Sequence, residues 1–262
     1  MLAQLWPTLA RLREQRPLVH NITNYVVMNN TANALLALGA SPAMVHATDE
    51  VEDFAKISGT LVVNIGTLSS EWVASMKLAI AAVRSCDVPW ILDPVGVGAT
   101  RYRTRVAADL AQMGPAVIRG NASEILALAG AAAAAPKGVD STASAEDAEG
   151  SASSLARALG TVVTVSGATD IVSDGERSLK LGDGHAMMPL ITGMGCTATA
   201  IIGAFLAIEP DAFLAASYGM AALGVAGKLA AETSAGPGSL QSTILDRLYG
   251  LNEDNLKPTV TS

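Results

Sequence analysis

Four times along the chain an apolar segment, rich in β-branched residues, runs directly into glycine and polar residues. Leu61-Val62-Val63-Asn64-Ile65 ends at Gly66. Trp90-Ile91-Leu92 runs into Asp93-Pro94-Val95-Gly96-Val97-Gly98, and Ala116-Val117-Ile118 into Arg119-Gly120-Asn121-Ala122-Ser123-Glu124. Thr161-Val162-Val163-Thr164-Val165 ends at Ser166-Gly167-Ala168-Thr169-Asp170. Segments of this length and composition read as buried strands. Helix-patterned stretches separate them, so residues 61–165 predict an α/β fold with a central, mostly parallel sheet flanked by helices on both faces. In open sheets of this kind ligands bind beyond the carboxyl ends of the strands, and Asp93, Arg119, Glu124 and Ser166 all fall there.

The remaining segments fit around that sheet. Leu2, Leu5, Leu9 and Leu12 predict an amphipathic helix over residues 2–14, stopped by Pro17. Leu18-Val19-His20 reads as a strand, and the polar cluster Asn21-Ile22-Thr23-Asn24-Tyr25 leads into a helix over 26–38. Its asparagines and threonine are either helix caps or ligands for phosphate or substrate. Ala43-Met44-Val45 reads as a short strand, and helices are expected over 51–58, 72–86 and 103–113. Residues 129–154 turn alanine-rich and then Gly, Ser, Asp and Glu-rich. They predict a surface loop, with chemistry conceivable only at Lys137-Gly138-Val139-Asp140, and then a helix over Ala145–Leu159. Ile171-Val172-Ser173 and residues 177–181, around Asp174-Gly175, form a hairpin pattern. Helices over 211–234 and 240–249 follow, split by Gly236-Pro237-Gly238, and the last dozen residues read as disordered. With no internal repeat, residues 1–262 read as a single domain.

Half of the 262 residues are hydrophobic but only 4% are aromatic, which requires a core of closely packed alanine, valine and leucine. A net charge of -7 without a Lys/Arg cluster argues against a nucleic-acid surface. Absence of an uninterrupted apolar run of about 18 residues and of a signal-peptide pattern argues against a membrane role. Cys86 and Cys196 make no disulfide framework and fit a reducing, cytoplasmic compartment.

The strongest local candidate for chemistry is Ile191-Thr192-Gly193-Met194-Gly195-Cys196-Thr197-Ala198-Thr199-Ala200, followed by an apolar run that reads as a buried helix. A glycine turn opening a helix aims unpaired N–H groups and the positive end of the dipole at one spot, an anion site suited to phosphate. Cys196 in the first turn is a candidate base whose thiolate the same field is expected to favour. The plainer alternative is a simple turn with a small buried cysteine. Asp93 and Glu124, on successive strand ends, are candidates to hold a hydrated Mg2+ between them; Glu124 also fits as the N3 member of a capping box. Met44 is either pocket lining or core filler.

The motifs Leu18-Val19-His20-Asn21-Ile22-Thr23-Asn24-Tyr25-Val26-Val27, Leu92-Asp93-Pro94-Val95-Gly96-Val97-Gly98-Ala99, Val117-Ile118-Arg119-Gly120-Asn121-Ala122-Ser123-Glu124 and Thr192-Gly193-Met194-Gly195-Cys196 resemble those of hydroxyethylthiazole kinases. That family lies in the ribokinase-like superfamily, and the resemblance spans residues 17–249. It implies ATP-dependent phosphorylation of the primary alcohol of a hydroxyethylthiazole, with the thiazole at Met44 and Gly193. ATP would lie at Arg119 and Ser166, with Asn24 and the Gly195 amide on its phosphates. Mg2+ would be associated with Asp93 and Glu124, and Cys196 would be the catalytic residue. A homotrimer with active sites at subunit interfaces is also implied. Three features depart from the family or superfamily pattern. Met194 stands where the family usually has threonine, Ser166 replaces a threonine, and Cys196 occupies the place of an aspartate in many ribokinase-like kinases. Pyridoxal or hydroxymethylpyrimidine kinases, dehydratases of hydrated nicotinamide nucleotides and a non-catalytic small-molecule sensor are the alternatives.

Overall fold

The computed structural model describes residues 2–132 and 145–261. Lys137-Gly138-Val139-Asp140 lies outside the described residues. A 3-10 turn at Leu2–Gln4 leads into α1 (Leu5–Gln15), whose Leu5, Leu9 and Leu12 are fully buried. Then follow β1 (Leu18–Ile22), α2 (Met28–Leu38), β2 (Ser41–Ala43), α3 (Val51–Ile57) and β3 (Thr60–Asn64). The middle of the chain supplies α4 (Ser70–Ser85), β4 (Trp90–Asp93), α5 (Arg101–Ala111), β5 (Val117–Asn121) and α6 (Ala122–Ala132). After α7 (Ala145–Leu159) come β6 (Val162–Ser166), β7 (Asp170–Ser173) and β8 (Ser178–Leu181). A 3-10 turn at Met188–Leu190 precedes α8 (Met194–Leu206), α9 (Ala212–Ala231), α10 (Pro237–Gly250) and α11 (Glu253–Thr261).

All eight strands belong to one sheet in the order β2-β1-β3-β4-β5-β6-β7-β8. The first six are parallel and the last two antiparallel, so the expected hairpin extends the sheet beyond β6. Alternate strand residues feed two separate cores. Val62, Ile91 and Val117 pack with Ile201, Phe205, Phe213 and Tyr218 of α8 and α9 on one face. Leu61, Val63, Leu92 and Ile118 pack with Trp72, Ile80 and Leu110 on the other. Helix α9 is long and apolar enough to cross a membrane, but it is mostly buried in the first of these cores.

Three expectations change. The short strand is Ser41–Ala43, not 43–45. Ser41 N–H donates to the Pro17 carbonyl and starts the ladder with β1, and Pro42 is tolerated because β2 is an edge strand. Residues 129–132 belong to α6 and do not begin a loop, and the rest of the expected loop, 133–144, lies outside the described residues. The last dozen residues are not disordered: residues 253–261 form α11. Asn252 and Asn255 accept each other's backbone N–H across its first turn, and Leu256 is buried.

Candidate active site

Parallel register brings Asn64 and Asp93 side by side at the carboxyl edge of the sheet. Each stands two residues beyond an apolar neighbour, Val62 or Ile91, and Arg119 stands likewise beyond Val117. Strand alternation therefore places all three polar residues on the face that α8 covers. Asp93 is completely buried. Its Oδ2 accepts hydrogen bonds from Asn64 Nδ2 at 2.8 Å and from Thr199 Oγ1 at 2.7 Å, while its Oδ1 is buried without a partner. Burial pushes this carboxyl up to about 6, against the pull of the Arg119 guanidinium and the two donors.

Helix α8 begins at Gly193, whose φ of 79° is left-handed and favours glycine; a Cβ there would also overlap Val27 Cγ1. No side chain caps this end; Met194 N–H turns back to the Ile191 carbonyl at 3.4 Å, and the Gly195 and Cys196 N–H groups remain available to an anion. At Gly195 a Cβ would collide with the Arg119 guanidinium. Glycine is thus required there for Arg119 to lie against the turn. Arg119 is nearly buried and donates from Nη2 to Ser166 Oγ at 2.5 Å, while its Nε has no partner.

Cys196, in the first turn of α8, is half-buried, and its Sγ accepts from Asn24 Nδ2 at 3.4 Å. The thiolate expected from the helix field is not the resting form. Burial, then the Asp93 charge, push the thiol up to about 11, and the donors Asn64 and Asn24 and the Arg119 charge only moderate the rise. Removing a sulfur anion from water outweighs the field of one helix terminus here.

Glu124 does form a capping box: its Oε2 accepts from Asn121 N at 2.8 Å, and Glu124 N donates to Asn121 Oδ1 at 2.9 Å. Its Oε1 takes the Gly96 N–H at 2.8 Å, tying the Asp93 loop to α6. Each carboxylate oxygen keeps a second lone pair, and Asp93 Oδ1 is an orphaned acceptor. Among the described residues no group of three or more metal-ligating side chains occurs. The donors present suit Mg2+ that keeps its water and phosphate ligands, not a closed protein cage. Asp170, whose Oδ1 accepts from Gly167 N at 3.0 Å, is likewise pushed up to about 6, chiefly by burial.

One connected region therefore contains Asn24, Asp93, Arg119, Ser166, Gly195 and Cys196, with Gly193 heading the same helix. Met44 lies half-buried just beyond β2, and no hydrogen bond joins it to the others among the described residues. Three participants went unrecognised in the sequence. Asn64 interrupts an otherwise apolar strand, and Thr199 lies three residues after Cys196 in an apolar helix; both were visible as polar residues inside buried elements. Arg103, which donates to the Ile65, Gly66 and Val95 carbonyls and locks two strand-end loops together, left no comparable signal.

Comparison with known proteins adds four findings. The model of the Hydroxyethylthiazole kinase family matches residues 9–254. A hydroxyethylthiazole kinase of Granulibacter bethesdensis is 56% identical over 249 residues, covering 95% of this chain and 90% of that one. Among solved structures, a hydroxyethylthiazole kinase protein from Pyrococcus horikoshii superposes with a TM-score of 0.90 at 42% identity, covering 97% of this chain and 95% of that one. A Bacillus subtilis pyridoxal kinase, in an ADP complex, superposes at 0.62 with 18% identity over 81% of this chain and 92% of that one, and shares the fold alone.

Proposed function

Because the chain belongs to the hydroxyethylthiazole kinase family, we propose that it transfers the terminal phosphoryl group of ATP to the primary alcohol of 4-methyl-5-(2-hydroxyethyl)thiazole, a salvage step towards thiamine. The observation that carries the chemistry is the meeting of an uncapped helix start, the Arg119 guanidinium and the buried Asp93 carboxylate beside Cys196. Phosphoryl transfer passes through a loose transition state and needs mainly positioning and charge neutralisation. The first-turn amides of α8, with Gly195, and the Arg119 side chain supply fixed positive charge to the phosphates; Ser166 orients Arg119, and Asn24 borders the same spot. Met194, where a threonine hydroxyl is usual, packs against the core, so this turn meets phosphate through its backbone alone. The thiazole lies against Met44 and Gly193.

Cys196 acts as a base through its thiolate, which burial makes scarce but correspondingly stronger. Neutralising the Asp93 charge removes one cause of that scarcity. Asp93 and Glu124 are the residues that would hold Mg2+ with its water, and the chemistry it would supply there is neutralisation of phosphate charge. The enzyme works in the cytoplasm as a homotrimer. Tyr25 and Val26, adjoining Asn24, are 65% and 63% exposed and form apolar surface for a neighbouring copy to cover.

Incubation with ATP, Mg2+ and a panel of alcohols tests the assignment by product mass. Phosphorylated hydroxyethylthiazole with matching ADP release is expected. Binding without ADP release points to a sensor, and preference for a pyridoxal or pyrimidine alcohol sinks the substrate assignment. Cys196→Ala should lose on the order of 10²–10⁴ in rate, whereas Cys196→Asp retains activity; full activity in the alanine variant makes the sulfur structural.

A further inference from the structure

Between the Asp93 carboxylate and the Cys196 sulfur lie two side-chain amides whose orientations are dictated from outside. The Gly66 N–H points at one end of the Asn64 amide at 2.9 Å. A main-chain N–H only donates, so that end is Oδ1. The NH2 end therefore faces Asp93 Oδ2. Val26 N–H does the same for Asn24, meeting its Oδ1 at 3.1 Å. The Asn24 NH2 is then left to donate to Asn64 Oδ1 at 2.8 Å and to Cys196 Sγ. Asn64 and Asn24 are 1% and 4% exposed. Turning either amide over would bury N–H against N–H.

We propose that Asn64 is a positioning residue for phosphoryl transfer: it locks the Asn24 amide so that an N–H faces Cys196 Sγ, and it holds Asp93 by Oδ2 so that Oδ1 is the oxygen left over. The inference rests on Cys196 being the base that takes the alcohol proton. Asn64 touches neither substrate. A donor facing sulfur stabilises the thiolate, the form that both accepts the proton and reacts with alkylating agents. The direction in which these two amides bias the Cys196 thiol agrees.

The test uses the full chain carrying Cys86→Ser, which removes the exposed second thiol. Alkylation of Cys196 by iodoacetamide is followed at one fixed pH without nucleotide, beside thermal melting and steady-state kinetics. A folded Asn64→Leu variant is expected to alkylate about 3–10-fold more slowly, the worth of one hydrogen bond to sulfur. Its kcat should fall on the order of 10-fold or more, with KM for both substrates within about twofold of the parent. Alkylation at the parental rate, or a parental kcat, overturns the proposal. Should Asn64→Leu not fold, Asn64→Ala, which removes both the acceptor for Asn24 and the donor to Asp93 without adding charge, is measured against the same criteria. A parent that forms no phosphorylated thiazole, or a fully active Cys196→Ser variant, sinks the underlying reading and this inference with it. The alkylation rate requires no turnover, so the two failures are distinguishable.

Discussion

Asp93 has one oxygen gripped by Asn64 and Thr199, donors that favour the carboxylate, but the other is buried without a partner, and burial outweighs the donors and favours the protonated form. Its carboxyl titrates near 6 in the folded chain, above the ordinary 3.8. Between those pH values the native state binds the proton more readily than the unfolded chain does. The group therefore opposes folding increasingly as pH rises through that window. At neutral pH an upward displacement of this size costs about 3 kcal/mol. Asp93→Asn keeps the shape, so the ligand-free variant is expected to be more stable than the parent at pH 7 and nearly equal to it at pH 4. Parallel denaturant melts at the two pH values check this, and a constant difference would refute it. Asp170, pushed the same way, remains in both proteins and cancels in the comparison. The destabilised carboxylate is expected of a group whose proper partner is a bound cation.

Helix α8 can place its first turn over the strand ends only because two glycines admit close packing. At Gly219 of α9 a Cβ would lie 2.8 Å from Ile202 Cα and 2.9 Å from its N, against rigid backbone. At Gly203 of α8 it would meet only Val62 Cγ2, at 2.7 Å, which a side chain can partly relieve. Gly219→Ala should therefore cost about 1–3 kcal/mol and lower kcat by shifting α8, while Gly203→Ala should cost less. Melting temperature and steady-state kinetics on the pair decide the order; equal losses would mean that α8 yields as easily as a side chain. The same packing explains how a chain with 4% aromatic residues fills its core. Alanines and glycines bring α8 and α9 close together around a few rings, Phe205, Phe213 and Tyr218.

For the molecule as a whole, the site lies at a surface edge, with exposed Tyr25 beside it. The Tyr25 ring packs against the buried Trp72 at 4.8 Å between centroids and Trp72 against His46 at 4.6 Å, so the exposed Tyr25 stands on an aromatic base near the start of α2. Light scattering is expected to give three times the mass of the chain, and Tyr25→Glu should shift the protein towards monomer with loss of activity. A fully active monomer would remove the shared-site reading.

The sequence alone determined the alternation of strands and helices, the strand-end placement of Asp93, Arg119, Glu124 and Ser166, and the glycine turn. Each depends on local backbone preference and on the period of apolar residues. Even the bounds of α7, Ala145–Leu159, follow from such local signals. Helix α11 escaped because its stability comes from Leu256 reaching a core built by distant segments. Tertiary structure alone decided the protonation of Cys196: burial and the approach of Asp93, more than a hundred residues away in the chain, overrule the local helix field. Likewise Asn64 and Thr199 show in the chain order only as polar residues inside apolar elements. They become neighbours of one carboxylate only when β3, β4 and α8 are packed, because desolvation and hydrogen bonding depend on spatial surroundings that local periodicity does not encode.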